Sequence, residues 1–160
     1  MKKKLLRIFF AFIMFFSVLP TQHIYNNEET KIEAATSDMG GYTFYLTPNS
    51  NWKQSNARFA MYLCNGTSAA KWYSMSDSDG DGTYEATVDS GENHANIIFC
   101  RMNGSNSTNN WNNRWNQSGN LTFDGTKNHC TINAGEWDCG NKVTWAEKRV
   151  ATYSNKTIYF

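Results

Sequence analysis

The chain predicts an all-β fold, specifically an immunoglobulin-like antiparallel β-sandwich, on three observations. Apolar and polar residues alternate in short runs, Gly, Asn, Asp and Ser interrupt those runs roughly every 8 to 15 positions, and no helical period persists beyond the N-terminal leader. Successive side chains of a strand point to opposite faces, so a period of two marks a sheet with one buried face.

The leader comes first. Lys2, Lys3, Lys4 and Arg7 precede or open an almost unbroken apolar run over residues 8–19. That run is shorter than the roughly 20 residues of a bilayer span and fits the about 7 to 15 of an export signal. Residues 1–35 are expected to be a signal peptide cleaved near Ile32-Glu33-Ala34, with an uncleaved anchor as the alternative, and residues 36–41 a short linker. The basic leader points to a bacterial product that is secreted or held at the cell surface, with no stable membrane association after cleavage.

The module itself is expected over 42–146. Residues 42–46 predict the first strand, closed by the turn-forming Thr47-Pro48-Asn49-Ser50-Asn51. Residues 58–64 predict the second, with Phe59, Met61 and Leu63 on one face and Arg58, Ala60, Tyr62 and Cys64 on the other. Further strands are expected at 71–75, 83–88, 96–102, 120–123, 130–132 and 143–145. Between Asn103 and Gly119 lies one long loop containing Asn110-Trp111-Asn112-Asn113-Arg114-Trp115-Asn116-Gln117. Loops of that length in a compact domain are functional or disordered, and two Trp argue against disorder. Residues 147–160 are expected to hold a linker and the opening strand of a following module, because 156–160 alternate as 42–46 do; a final edge strand is the alternative.

Roughly 105 residues support one hydrophobic core. Formal net charge is +1, and part of the Lys and Arg count sits in the leader, so no basic face is left for nucleic acid. The mature part is crowded with Asn, Ser, Thr, Gly, Trp and Tyr. Neutral amides and hydroxyls beside aromatic faces suit a neutral polyol better than a phosphate or a metal; the competing reading is that the aromatics only fill a β core. An exported chain permits disulfides, and Cys130 and Cys139 are spaced to staple one hairpin. Four cysteines allow three pairings and the sequence does not fix which, the alternative for Cys64 and Cys100 being that they are small buried hydrophobes; no zinc-type spacing occurs.

An indole face can stack on the apolar face of a glucose ring while Asn and Gln bond its rim. Two such faces, each hiding about 100 Å² at about 25 cal/mol per Å², yield roughly 5 kcal/mol before the cost of association. Dissociation constants between about micromolar and millimolar follow.

At these residues the chain resembles the starch-binding modules grouped as families 25 and 26, which are appended to bacterial amylases. The resemblance runs from Tyr42 to about Trp145. It rests on the order of Tyr45, Asn51-Trp52, Ala57-Arg58-Phe59-Ala60-Met61-Tyr62, Trp72 ahead of Met75, Gly82-Thr83-Tyr84, Asn96-Ile97-Ile98-Phe99 with Asn103, Asn110-Trp111-Asn112-Asn113 and Gln117. The chain departs from it in the inserted loop and at Cys64, where the family often carries an aromatic. The resemblance implies a ligand held between Trp72 and Trp111, with polar help from the Asn run that holds Asn112 and Asn113 and from the strand that contains Tyr62. Trp115 and Gln117 of the same loop are further candidates, and Trp52, Phe59 and Phe99 read as core. The resemblance also implies a monomeric, non-catalytic module that takes starch, amylose, glycogen or another α-glucan and directs an appended glycoside hydrolase to it. The rival from another class is a cell-surface interaction or adhesion domain that shows its Trp loop to a protein or another glycan.

Asp77-Ser78-Asp79-Gly80-Asp81-Gly82 matches the first half of a calcium loop, but the position that should carry a bidentate Glu is Val88. An acidic turn is the preferred reading, so Asp77, Asp79 and Asp81 remain a secondary metal candidate and no cofactor is expected. Glu85, Glu92, Asp124, Glu136 and Asp138 are the carboxylates available to a hydrolase, and most fall in turns or at element ends. His23, His94 and His129 have no nucleophile signature beside them.

Overall fold

Two sheets and a small ribbon organise residues 37–148, the part of the chain that the computed structural model describes. The leader and the alternating run at 156–160 lie outside those residues. The strands, in chain order, are β1 (Ser37–Asp38), β2 (Thr43–Thr47), β3 (Arg58–Cys64), β4 (Lys71–Met75), β5 (Tyr84–Thr87), β6 (Asn93–His94), β7 (Asn96–Met102), β8 (Arg114–Gln117), β9 (Leu121–Thr122), β10 (His129–Ile132) and β11 (Val143–Ala146). A 3-10 turn, Trp111–Asn113, leads into β8.

One sheet runs β11-β10-β2-β5 and the other β4-β3-β7-β8, with β9 also paired to β7; β1 and β6 form the ribbon. The chain is thus a β-sandwich whose sheets are mostly antiparallel, as the alternation predicts. Phe44 and Leu46 of β2 and Cys130 and Ile132 of β10 meet Phe59, Met61 and Leu63 of β3 and Ile97 and Phe99 of β7 in one core. Fully burying side chains of this size contributes about 1.5–3 kcal/mol each.

The ladder between β2 and β10 is parallel, unlike the purely antiparallel sheet expected, and sets Tyr45 against His129 and Leu46 against Cys130. A tight hairpin cannot join parallel neighbours. Here the connection runs through every strand of the second sheet and also through β5 and β6, so β10 returns to β2 in the same direction.

The two central strands of the second sheet, β3 and β7, are covered on both faces. Ala60, Ile98, Cys100 and Met102 form a separate apolar cluster on the sheet's outer side, with Tyr62 and Trp72 packed against it. This explains the almost unbroken apolar sequence of β7, whose two faces both need cover. It also means that the outer side of β3, where alternation places Ala60 and Tyr62, is not left to solvent.

All four cysteines are free, so the staple expected between Cys130 and Cys139 is not formed. Antiparallel pairing places Trp145 opposite Cys130. Cys139 belongs to the connection before β11, and its Sγ donates to the Gln117 carbonyl at 3.4 Å. Burial pushes the Cys139 thiol up to about 11 and raises Cys130 as well, so both pack as neutral apolar groups. Cys64 and Cys100 face Asn96 and Ala60, at different points of the ladder between β3 and β7.

Candidate functional site

Tyr62 and Trp72 stand directly opposite each other on β3 and β4. Both project from the outer face, because Phe59, Met61 and Leu63 occupy the inner one. Trp111 comes down on them from the 3-10 turn. Ring centroids are 4.8 Å apart for Tyr62–Trp72, 4.7 Å for Tyr62–Trp111 and 4.8 Å for Trp72–Trp111, with interplanar angles of 49°, 69° and 64°. The two edge-to-face contacts of Trp111 add about 0.5–1.5 kcal/mol each beyond buried area. Trp111 still leaves 41% of its surface in solvent. Three residues that are far apart in the sequence therefore build one aromatic platform.

The loop that carries Trp111 is anchored by Arg58, a residue whose spacing places it only on a strand face. Its Nε donates to the Asn103 carbonyl at 3.2 Å, its Nη2 to the Thr108 carbonyl at 2.7 Å, and its Nη1 to Asn109 Oδ1. Asn109 Nδ2 ties the loop to Ser74 Oγ on β4 at 3.0 Å, and Asn110 Oδ1 accepts from the Asn113 amide at 2.9 Å to cap the 3-10 turn. At the loop entrance, a Cβ on Gly104 would lie 1.7 Å from the Asn56 carbonyl oxygen, so only glycine fits.

Arg58→Ala should leave the sheets intact but free residues 103–113, because the loop carbonyls lose their shared cation. The expected readout is faster amide exchange and new protease cleavage confined to that segment, together with weaker ligand binding. Unchanged exchange across 103–113 would rule out this anchoring role.

Much of the Asn run serves the loop itself. Asn113 Nδ2 donates to the Thr108 carbonyl at 2.9 Å, while Asn112 is exposed and its side chain has no hydrogen bond among the described residues. Gln117 accepts from Arg114 Nη1, and Arg114 lies 5.5 Å from the Trp111 ring centre, so Gln117 reaches the platform only through that guanidinium. Trp115 is not part of the platform. It lies over Arg101, at 4.6 Å, and shares that cation with Trp137 at 5.3 Å. Trp137 was not picked out by sequence reasoning; an exposed Trp between Glu136 and Asp138 in a turn was the available signal.

Trp72 and Trp111 do not form open jaws. A sugar between two faces needs contacts of about 3.5–4.0 Å on each side, hence roughly 7–8 Å between rings. These rings are already in contact, so the surface on offer is the exposed side of Trp111.

The acidic turn brings carboxylate oxygens of Asp77, Asp79 and Asp81 within 4.8 Å of one another. Asp77 Oδ2 accepts from the Gly82 amide at 3.0 Å, Asp79 Oδ1 from Asp81 at 3.3 Å and Asp81 Oδ1 from Thr83 at 2.6 Å, a set of bonds that folds the turn. The hydrolase-type carboxylates are engaged locally. Glu85 accepts from Ser78, Glu92 pairs with Lys71 and the buried His94, Asp124 with Lys127 and Glu136 with Lys142.

Comparison of the chain with protein-family models, with curated proteins and with solved structures gives no match.

Proposed function

We propose that this module binds starch or a related α-glucan without catalysis, by stacking on the Tyr62–Trp72–Trp111 platform. The observation that carries the reading is the convergence of these three rings with Trp111 left 41% exposed above them. Nothing in a β core requires an indole in that position. Asn112, exposed beside Trp111, supplies an amide that is both donor and acceptor, matching hydroxyls that act as both. In this reading the protein is exported and holds an appended glycoside hydrolase against its insoluble substrate.

Purified protein should be retarded in native gels containing amylopectin, and should release no reducing ends from soluble starch above a blank. Unretarded migration through amylopectin, glycogen and pullulan gels would sink the α-glucan assignment. Turnover that survives repurification and depends on Glu85 or Asp138 would overturn its non-catalytic part.

A further inference from the structure

Trp115 and Trp137 leave 38% and 42% of their surface in solvent, yet both pack against one cation. The guanidinium carbon of Arg101 lies 4.6 Å from one ring centre and 5.3 Å from the other, and Arg101 itself is only 5% exposed. Its Nε donates to the Trp52 carbonyl at 2.8 Å, Nη2 to Gln54 at 2.7 Å and Nη1 to Asn116 Oδ1 at 3.2 Å. Among the described residues no carboxylate forms an ion pair with it. The Trp137 backbone is fixed in turn by Trp52 Nε1, which donates to its carbonyl at 2.6 Å. Burying a cation against neutral acceptors is costly, and stability alone does not call for it. What the arrangement achieves is two exposed indoles braced on one immobile cation.

Polar groups lie alongside. Asp138 follows Trp137, and its Oδ1 accepts from the Gln117 amide and from Asn116 Nδ2, both at 3.3 Å. Arg114, Gln117, Ser118, Gly119, Asp138 and Gly140 line an open cavity of about 400 Å³; the two indoles are not in its lining and meet it through their chain neighbours Arg114 and Asp138. That volume falls within the range of small-molecule sites, roughly 300–1,000 Å³.

We propose that this end of the sandwich is a second carbohydrate site, in which Trp115 and Trp137 supply stacking faces and the cavity between Arg114 and Asp138 receives sugar hydroxyls. The ligand class rests on the reading of the first platform. The occupant is a unit of an α-glucan, either farther along the chain held by Trp111 or from a second chain.

Calorimetric titration of the purified protein with maltotriose and with maltoheptaose tests this. Maltotriose should fill about two sites in the wild type and about one in either Trp111→Ala or Trp137→Ala. Asp138→Asn, which keeps the oxygen that the Gln117 amide needs, should weaken the second site with circular dichroism unchanged. Maltoheptaose reports the source of the occupant: a stoichiometry of about one with tighter binding marks a single chain crossing both sites, and a stoichiometry of about two marks separate chains. A single site, abolished by Trp111→Ala and untouched by Trp137→Ala and Asp138→Asn, overturns the second site and leaves the first. Absence of binding of either sugar to the wild type overturns both.

Discussion

Trp111→Ala is expected to weaken α-glucan binding by roughly 30-fold to 150-fold, the equivalent of the 2–3 kcal/mol that one stacking face contributes, with the fold unchanged. Trp111 is 41% exposed and sits on a 3-10 turn with no fully buried side chain, so its removal opens no sealed cavity. Retardation in amylopectin gels measures the loss, and circular dichroism checks the fold. A folded Trp111→Ala protein retarded as strongly as wild type would remove Trp111 from the site. Trp72→Ala should also lose binding, but it is the less clean test. Trp72 covers Ala60, Ile98, Cys100 and Met102, so truncating it uncovers that cluster and lowers stability as well.

The largest effect on stability is expected from Trp52→Ala, at about 3–5 kcal/mol. Trp52 is fully buried, stacks on Phe59 at 6.3 Å with planes 6° apart, and bonds the Trp137 carbonyl through Nε1 at 2.6 Å. Loss of the ring leaves a cavity between the sheets and a carbonyl without its donor. A domain of this size has a stability of about 5–15 kcal/mol, so the melting temperature should fall by on the order of 15 °C or more. Thermal unfolding followed by circular dichroism measures it, and a shift of only a few degrees would show that the sandwich end closes without Trp52.

Local alternation made most of the fold legible. Phe59, Met61 and Leu63 face inward from β3 as their spacing requires, and β4 spans the residues expected. β8 was hidden. Arg-Trp-Asn-Gln has no apolar alternation, because it is an edge strand whose outer side meets solvent and whose indole rests on a cation. The sequence read 103–119 as one loop for that reason. Ala60 illustrates the same gap: its spacing says outward, and only the tertiary fold places a roof of rings above it.

At the site, the identities of Tyr62, Trp72 and Trp111 could be read from the chain, but their contact could not. It depends on the register between β3 and β4 and on where Arg58 holds the loop. The Asn residues were legible as hydrogen-bonding groups, whereas their division between loop and solvent depended on geometry. Trp115 was grouped with Trp111 because both stand in the same Asn-rich segment between Asn103 and Gly119. The irregularity between Arg101 and Met102 in the β7–β8 ladder accompanies the change that sends Trp115 to the other cation.

The parallel pairing of β2 with β10 has a consequence for how the protein is made. β2 emerges from the ribosome early, and roughly 80 residues must follow before its partner exists, which at about 5–20 residues per second is several seconds of synthesis. Once β5 has paired with β2, the other edge of β2 stays open at Tyr45, Leu46 and Thr47 until β10 arrives, a template to which another chain can add. Assembly is therefore not vectorial: the earliest strand of the sandwich is among the last to be completed, and a polypeptide interrupted before residue 129 carries an adhesive edge instead of a finished module.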